Sequence, residues 1–353
     1  MTAQLSHIVF ETSPGLLRAV AFARDGRPWH IFQQLWAGER EAVRAGQVIE
    51  ARVRGQDESG GVFLDHIGWT LWEGGFEPLY CDRKNAQGLN EGQTLNVRVM
   101  SAARRDHVAR VIPSDADVAL SRPENAFHDW ASMLGLSRIE EIATEISDVI
   151  DAAYDDVTAL CIGLSGGGVI HVERTRGLTV IDVDSAGRKG RGSAAARALS
   201  LNKQAVLEAA RQICLHALGG VFAIDCVEPL TDEAKTQLRV AIVEAFKGND
   251  TRHLSAQKPS RFGVLEAATA WRSTPILEIL DRSDMGLALA LQGAFREMSA
   301  ETRGFYTLEL GPATYQAYVE RKRVVDQQIE GHFHGRLELK HSHNGREALR
   351  RRV

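Results

Sequence analysis

Short apolar runs alternate with polar positions over the first 37 residues: HIVFET, LLRAVAFA and PWHIFQQL. A period of two sends successive side chains to opposite faces of a strand, so these runs predict an antiparallel β start. Between the last two runs, Arg24-Asp25-Gly26-Arg27 predicts a hairpin turn, because Asp-Gly tolerates the positive φ of tight turns. Further strands are predicted at Val48–Arg54, Gly61–Asp65, Gly75–Leu79, Thr94–Val99 and His107–Ile112, punctuated by Gly60-Gly61, Gly74-Gly75 and Glu91-Gly92. Short strands at that spacing suit a small OB-type barrel. A polar linker with Pro113 and Pro123 follows, then helical spacing at Phe127–Leu134 and Ile139–Tyr154. The second of these carries an acidic outer face (Glu140, Glu145, Asp148, Asp151), which reads as a solvated face and would repel a polyanion.

Residues 158–228 read as three strands, a helix and a strand: Ala159–Leu164, Gly168–Arg174, Leu178–Val183, Asn202–Leu218 and Val221–Val227. Gly219-Gly220 stands where a helix is expected to stop. A helix over 230–247 and a strand over Gly263–Thr269 flank a polar, basic stretch, Thr251–Arg261. The remainder predicts a helix from Leu277 to Met298, a strand over Phe305–Leu310, a helix over Pro312–Glu320, a β-like segment over Gln328–Leu339 and a frayed basic end.

With 44% hydrophobic and 25% charged residues this is an ordinary globular composition. A net charge of −4 gives no global attraction to nucleic acid, so any such contact must come from local basic patches. Cys81, Cys161, Cys214 and Cys226 form no CxxC pair, which argues against a structural zinc. Cys161, Cys214 and Cys226 sit in apolar contexts and read as buried free thiols. The start lacks a charged segment leading into an apolar run, and no stretch of about 18 apolar residues occurs. A cytoplasmic protein without a membrane span is expected.

The chemistry gathers between Gly177 and Asp225. Two apolar strands there end in acid, one in Asp182 and Asp184, the other in Asp225, with a helix between them. If the strands are parallel neighbours, that crossover brings their ends to one edge of the sheet. Paired carboxylates at strand ends hold Mg²⁺, a hard ion that bridges to phosphate. Acids at strand ends also cap helices or simply face solvent, and spacing alone leaves both readings open. Arg188, Lys189 and Arg191 in the glycine loop would suit phosphates. No GxxxxGK[ST] or strand–GxGxxG–helix is present, which argues against an ATPase or a dehydrogenase. In the barrel, Phe63, His66 and Phe76 lie on or near the second and third strands, as core or as base-stacking residues, and Arg52, Arg54, Arg104 and Arg105 could meet phosphate.

The runs SGGGVIHVERTRGLTVIDVDSA, NKQAVLEAARQICLHALGGVFAID and SRFGVLEA together resemble the catalytic region of the ribonuclease E/G family. HIVFET…LLRAVAFARDG is similar to that family's opening strands, GVFLDHIG…GFEPL to its inserted RNA-binding domain, and TYQAYVERKRVVDQQIE to its small-domain helix. The resemblance implies an α+β multidomain fold. An N-terminal β segment (1–45) precedes an OB-fold barrel of the ribosomal S-one type (46–112) and a shortened sensor region (113–157). An RNase H-like/DNase I-like α/β catalytic core (158–272) and a small α/β C-terminal domain (273–353) follow. It implies an Mg²⁺-dependent endoribonuclease that cuts single-stranded RNA and leaves a 5′-phosphate and a 3′-hydroxyl. Asp182 and Asp225 would hold the metal and Asp184 would assist, at a position where the family has asparagine. Phe63, His66 and Phe76 would stack on bases, and Arg188, Lys189, Arg191 and Arg261 would grip phosphates. The family's paired CPxC zinc link and its 5′-sensing arginine–threonine pair have no counterpart, so a homodimer is the most that is expected and a zinc-linked tetramer is not. The alternative is a non-catalytic RNA-binding protein on the same scaffold.

Overall fold

In the computed structural model, residues 4–36, 43–67, 78–105, 107–116, 126–141, 148–188, 192–298, 304–333, 335–343 and 345–352 are described. The N-terminal alternation becomes three antiparallel strands, β1 (Leu5–Ser13), β2 (Leu16–Ala23) and β3 (Pro28–Leu35). Gly26 closes the β2–β3 turn at φ +80°, and its N–H donates to Ala23 O at 2.9 Å. Next come β4 (Val48–Gln56), β5 (Val62–His66), β6 (Leu79–Cys81), β7 (Thr94–Ser101) and β8 (Ala109–Pro113), which form a closed barrel in the order β4-β5-β6-β8-β7. Its interior is filled by Ile49, Ala51, Val53, Leu64, Leu79, Val97 and Val111. Of the strand expected at Gly75–Leu79, residues 75–77 lie outside the described residues.

Helix α1 (Ala126–Met133) sets Phe127 and Ala131 against Ile8, Ala19, Ala21 and Phe32 on one face of the N-terminal sheet. The helix expected over Ile139–Tyr154 is corrected: the segment begins as a strand, β9 (Ile139–Glu141), parallel to β1 with Ile8 opposite Ile139. Helix α2 starts only at Asp148 (Asp148–Thr158). The edge of β1 presents peptide groups that need partners, and a tertiary edge outweighs a local helical period.

The central sheet is built from β10 (Ile162–Gly163), β11 (Val169–Arg174), β12 (Thr179–Asp184), helix α3 (Ala194–Leu215), β13 (Gly220–Asp225), helix α4 (Asp232–Lys247), β14 (Leu254–Ala256) and β15 (Val264–Thr269). Its order is β10-β11-β12-β13-β15-β14, and β12 and β13 are the parallel pair joined through α3. On one face Ile181, Phe222, Ile224 and Leu265 pack against Ala205, Ala209 and Ile213 of α3 and Leu238, Ile242 and Phe246 of α4. Helix α3 starts at Ala194, not Asn202: Ser193 Oγ accepts from Ala196 N at 3.2 Å, and an alanine-rich first turn follows. It ends at Leu215, before the glycine pair. Gly219 instead allows close approach of a neighbour, since a Cβ there would stand 2.7 Å from the Trp271 backbone.

The C-terminal part adds α5 (Ile276–Leu280), α6 (Ser283–Met298), β16 (Phe305–Leu310), α7 (Pro312–His332), β17 (Arg336–His341) and β18 (Ala348–Arg352). Helix α7 thus runs well past Glu320, into the segment expected to be β-like, and the expected frayed end is strand β18 paired with β16. Leu287, Leu291, Leu308 and Val325 from this part share one core with Val20, Ile31 and Ile150. The barrel is fastened to the central sheet where Ala102 N donates to Arg272 O at 2.9 Å and the Arg104 guanidinium lies over Trp271 at 4.5 Å. Cys81, Cys214 and Cys226 are buried, but Cys161 is exposed, contrary to its apolar neighbourhood in sequence, because it precedes the short edge strand β10. Among the described residues no helix is long and apolar enough to cross a membrane.

His216 closes α3, and its Nε2 meets no hydrogen-bond partner among the described residues. Burial, helped by the charge of Arg211, pushes its pKa down from 6.5 to about 4. The folded state therefore favours the neutral ring. That contribution is fully present above pH 6.5 and is lost as the pH falls through about 4. Thermal melts followed by circular dichroism are expected to show the midpoint falling across this window, and a His216→Gln variant to flatten the slope. An unaltered slope in that variant would refute the assignment.

Candidate active site

Strand β12 alternates: Thr179, Ile181 and Val183 are buried against the helices, while Asp182 and Asp184 stand exposed on the opposite face. Strand β13 repeats the pattern, with Phe222 and Ile224 inward and Val221 and Asp225 outward. The parallel register sets Asp182 directly beside Asp225. In-register neighbours point to the same face, with strands about 4.8 Å apart. Two carboxylates thus meet on the open face, at the end of the sheet where both strands deliver their C-termini. Among the described residues neither meets a hydrogen-bonding or ion-pairing partner.

Asp184 is engaged differently. Its Oδ1 accepts from Ala186 N at 2.8 Å, capping the tight turn that leaves β12. Ala186 and Gly187 take left-handed conformations there, at φ +42° and +70°. Arg188 follows and is drawn inward. Its Nη1 donates to Gly167 O at 3.2 Å and to Gln204 Oε1 at 3.1 Å, and its Nη2 to Ser200 Oγ at 3.2 Å. It ties the glycine turn to α3. Lys189 and Arg191 lie outside the described residues. Arg261 is exposed on the hairpin between β14 and β15, with its guanidinium 4.5 Å from the Phe262 ring.

Two residues of the open face carry no mark in the sequence. His171 stands directly opposite Asp182 on β11, and its Nδ1 lies 3.2 Å from Leu160 O. Glu266 stands opposite Ala223, one step from Asp225 on the same face. Both belong to ordinary apolar–polar alternations, so only the strand pairing singles them out.

In the barrel, Phe63 lies on the outer face of β5, between inward Val62 and Leu64. Its ring meets Tyr80 at 5.2 Å between centroids, and Tyr80 Oη donates to Asp57 Oδ2 at 2.9 Å. Tyr80, which no sequence motif singles out, is therefore the ring beside Phe63. His66 is buried on the inward side, 8% exposed, so the two rings are not displayed together. Phe76 lies outside the described residues. Arg54 is paired with Asp65, and Arg110 with Asp82 at 2.9 Å.

A second group of ligand-type atoms lies elsewhere. His30, Cys214 and Asp250 come within 4.8 Å of one another in the interior. Arg252 Nη2 contacts Asp250 Oδ2 at 2.7 Å, and Cys214 Sγ donates to the same oxygen at 3.6 Å. Burial alone would raise the Asp250 pKa, but the hydrogen bonds from Arg252 and the charge of His30 outweigh it and hold it at about 2. The carboxylate is already neutralised, and the cluster is a buried polar brace.

Comparison with known proteins gives consistent relatives. A sequence profile described as the ribonuclease E/G family matches residues 80–270, a span that includes Asp182, Asp225 and the Arg261 hairpin. Ribonuclease E of Escherichia coli strain K12 is 32% identical over 180 residues, covering 51% of this chain and 15% of that protein. A chloroplastic ribonuclease E/G-like protein of Arabidopsis thaliana is 29% identical over 119 residues, covering 33% of this chain and 12% of that protein. Ribonuclease E of Haemophilus influenzae is 33% identical over 105 residues, 30% of this chain and 11% of that protein. The matched stretch spans less than a sixth of each relative's length.

Proposed function

The chain belongs to the ribonuclease E/G family, and from that premise we propose that it is an Mg²⁺-dependent endoribonuclease acting on single-stranded RNA. The observation that carries this reading is the β12–β13 register, which sets Asp182 beside Asp225 on an open face without a compensating cation among the described residues. Adjacent like charges disfavour one another unless a cation lies between them. The donors are all carboxylate oxygens, which suits a hard ion such as Mg²⁺ and gives a softer metal no advantage. Mg²⁺, when bound, supplies the positive charge that polarises a phosphodiester and lowers the pKa of a water.

The chain's own residues do the rest. Asp182 and Asp225 would hold the ion, which would supply positive charge on the open face where a phosphate approaches. Asp184 spends one oxygen on the Ala186 N–H, which fixes its carboxylate on the rim and leaves the second oxygen to orient the attacking water. Attack of that water on phosphorus would break the P–O3′ bond, the water giving up a proton and the departing oxygen taking one, which leaves a 5′-phosphate and a 3′-hydroxyl. The barrel, read as an OB-type RNA-binding module, offers Phe63 and Tyr80 on its outer face as a stacking surface for unpaired bases.

The test is incubation of the purified chain with a fluorescently labelled single-stranded RNA in Mg²⁺ and in EDTA. Cutting is expected in Mg²⁺ alone, with ends that a ligase requiring 5′-phosphate accepts. RNA that is bound but uncut in Mg²⁺ would overturn the nuclease reading and leave an RNA-binding protein on the same scaffold.

A further inference from the structure

We propose that Phe262 and Arg261 form a base-stacking platform beside the paired aspartates, a subsite for one unpaired base next to the scissile phosphate. The inference rests on the endoribonuclease reading for the position of that phosphate. It has its own evidence in the hairpin.

Phe262 is 71% exposed, more than Phe305 at 58%, the next most exposed phenylalanine among the described residues. A single exposed apolar side chain on a folded protein is ordinary in itself. The surroundings of this one are not those of a loose surface loop. Ser260 N donates to Val264 O at 2.9 Å and Gly263 N to Ser260 O at 3.2 Å, closing the turn from within. Phe262 N donates to Ser260 Oγ at 3.2 Å, and Lys235 Nζ reaches Ser260 O at 2.9 Å from α4. Cys226 N donates to Gly263 O at 3.1 Å, tying the turn to the end of β13 immediately after Asp225. Glycine is needed for this approach: position 263 has φ +82°, and a Cβ there would stand only 3.0 Å from Cys226 O. The hairpin therefore holds the Phe262 backbone in a set place, and burial does not account for a ring that stands out in solvent.

That place is next to the carboxylate pair. Val264 is the cross-strand partner of Asp225, and Phe262 lies two residues before it. The Arg261 guanidinium covers the ring at 4.5 Å from its centroid, a favourable cation–π contact that backs the ring and leaves the rest of it to solvent. An aromatic face accepts any base by stacking, and a cation behind it also offsets the approach of the phosphate backbone. Lys258, exposed on the same hairpin, adds positive charge beside it. A flat apolar ring, a cation and a rigid turn at the rim of an acidic pair match a single-stranded nucleotide whose base stacks on the ring beside the carboxylates.

The test uses the full chain and a single-stranded RNA carrying one 2-aminopurine, scanned through the positions around the cut, in EDTA so that the RNA stays intact. Wild type is expected to quench the probe at one position, and Phe262→Leu to lose that quenching and bind roughly 5- to 150-fold more weakly, the range for one stacked base. Phe262→Tyr is expected to restore both. Because the side chain is exposed, an unaltered circular dichroism melt is expected for each variant. Equal quenching and affinity in Phe262→Leu would overturn the platform even if Mg²⁺-dependent cutting is observed. Position-specific quenching that depends on Phe262, in a chain that never cuts, would uphold the platform while the nuclease reading fails.

Discussion

Asp182→Asn and Asp225→Asn, singly and together, are expected to lower Mg²⁺-dependent RNA cutting by roughly two to four orders of magnitude, each factor of ten corresponding to about 1.4 kcal/mol of barrier. Asparagine keeps the shape of the side chain and one oxygen but removes the charge that holds the ion. Both positions are exposed, and each faces a like charge across the β12–β13 pair. Their replacement therefore leaves folding within about 0.5 kcal/mol of wild type. RNA binding through the barrel and the Arg261 hairpin is expected to persist, and to tighten slightly as acid is removed from the path of the phosphates. Asp184→Asn belongs in the same series. It preserves an oxygen for the Ala186 N–H, so the turn stays closed, and its NH2 still hydrogen-bonds the water in place of the second carboxylate oxygen, so cutting is expected to survive. Gel-resolved cleavage beside fluorescence-anisotropy binding separates the effects. Cutting at the wild-type rate in the double variant would remove the carboxylate pair from the mechanism.

The largest effect on stability is expected from Arg211→Met, a loss of about 3–5 kcal/mol. Arg211 is fully buried about one turn from the C-terminal end of α3 and holds Glu208 Oε1 through Nε at 2.9 Å and Nη2 at 2.6 Å. Its Nη1 reaches Asp156 of α2 at 2.7 Å and the Pro28 carbonyl of β3 at 3.0 Å. One guanidinium therefore joins three elements that meet behind the central sheet. Burial opposes its charge, and the surrounding carboxylates raise its pKa despite that. Methionine fills the volume but leaves Glu208 buried with only Arg27 and Gln212 to answer its charge. Removing the carboxylate as well, in Arg211→Met with Glu208→Leu, is expected to recover much of the loss, because a replaced buried pair costs far less than a broken one. Urea midpoints measure both. A single variant as stable as wild type would show that the network contributes nothing to folding.

The same network shows where local sequence stops being informative. Glu208 and Arg211 lie three apart on α3 and look like a surface pair on an amphipathic helix. Only the docking of α2 and the β2–β3 hairpin onto that stretch turns them into buried residues. Arg188 is a similar case. Within a glycine-rich basic loop it reads as a phosphate ligand, whereas in the fold the glycine turn at Gly166–Gly168 and the side of α3 take up three of its five N–H donors.

Composition and periodicity determined a good deal unaided. Apolar runs located β12 and β13 and put acids at their ends, because residue type along a strand is a local property whatever the partner. Glycine punctuation located four of the barrel strands to within a few residues, while the one expected at Gly75–Leu79 runs over Leu79–Cys81, and the order of motifs identified the family. Periodicity carries no information about neighbours, and that is where the tertiary structure decided. It chose β1 as the partner of Ile139–Glu141, extended α7 through Gln328 and gave the basic tail a strand beside β16. It turned Phe63 outward and His66 inward. Above all it chose the register that sets Asp182 against Asp225 and brings the Phe262 hairpin to their edge. Those contacts join residues tens of positions apart, and their free energy depends on packing and hydrogen-bond pairing that exist only once the chain has closed on itself.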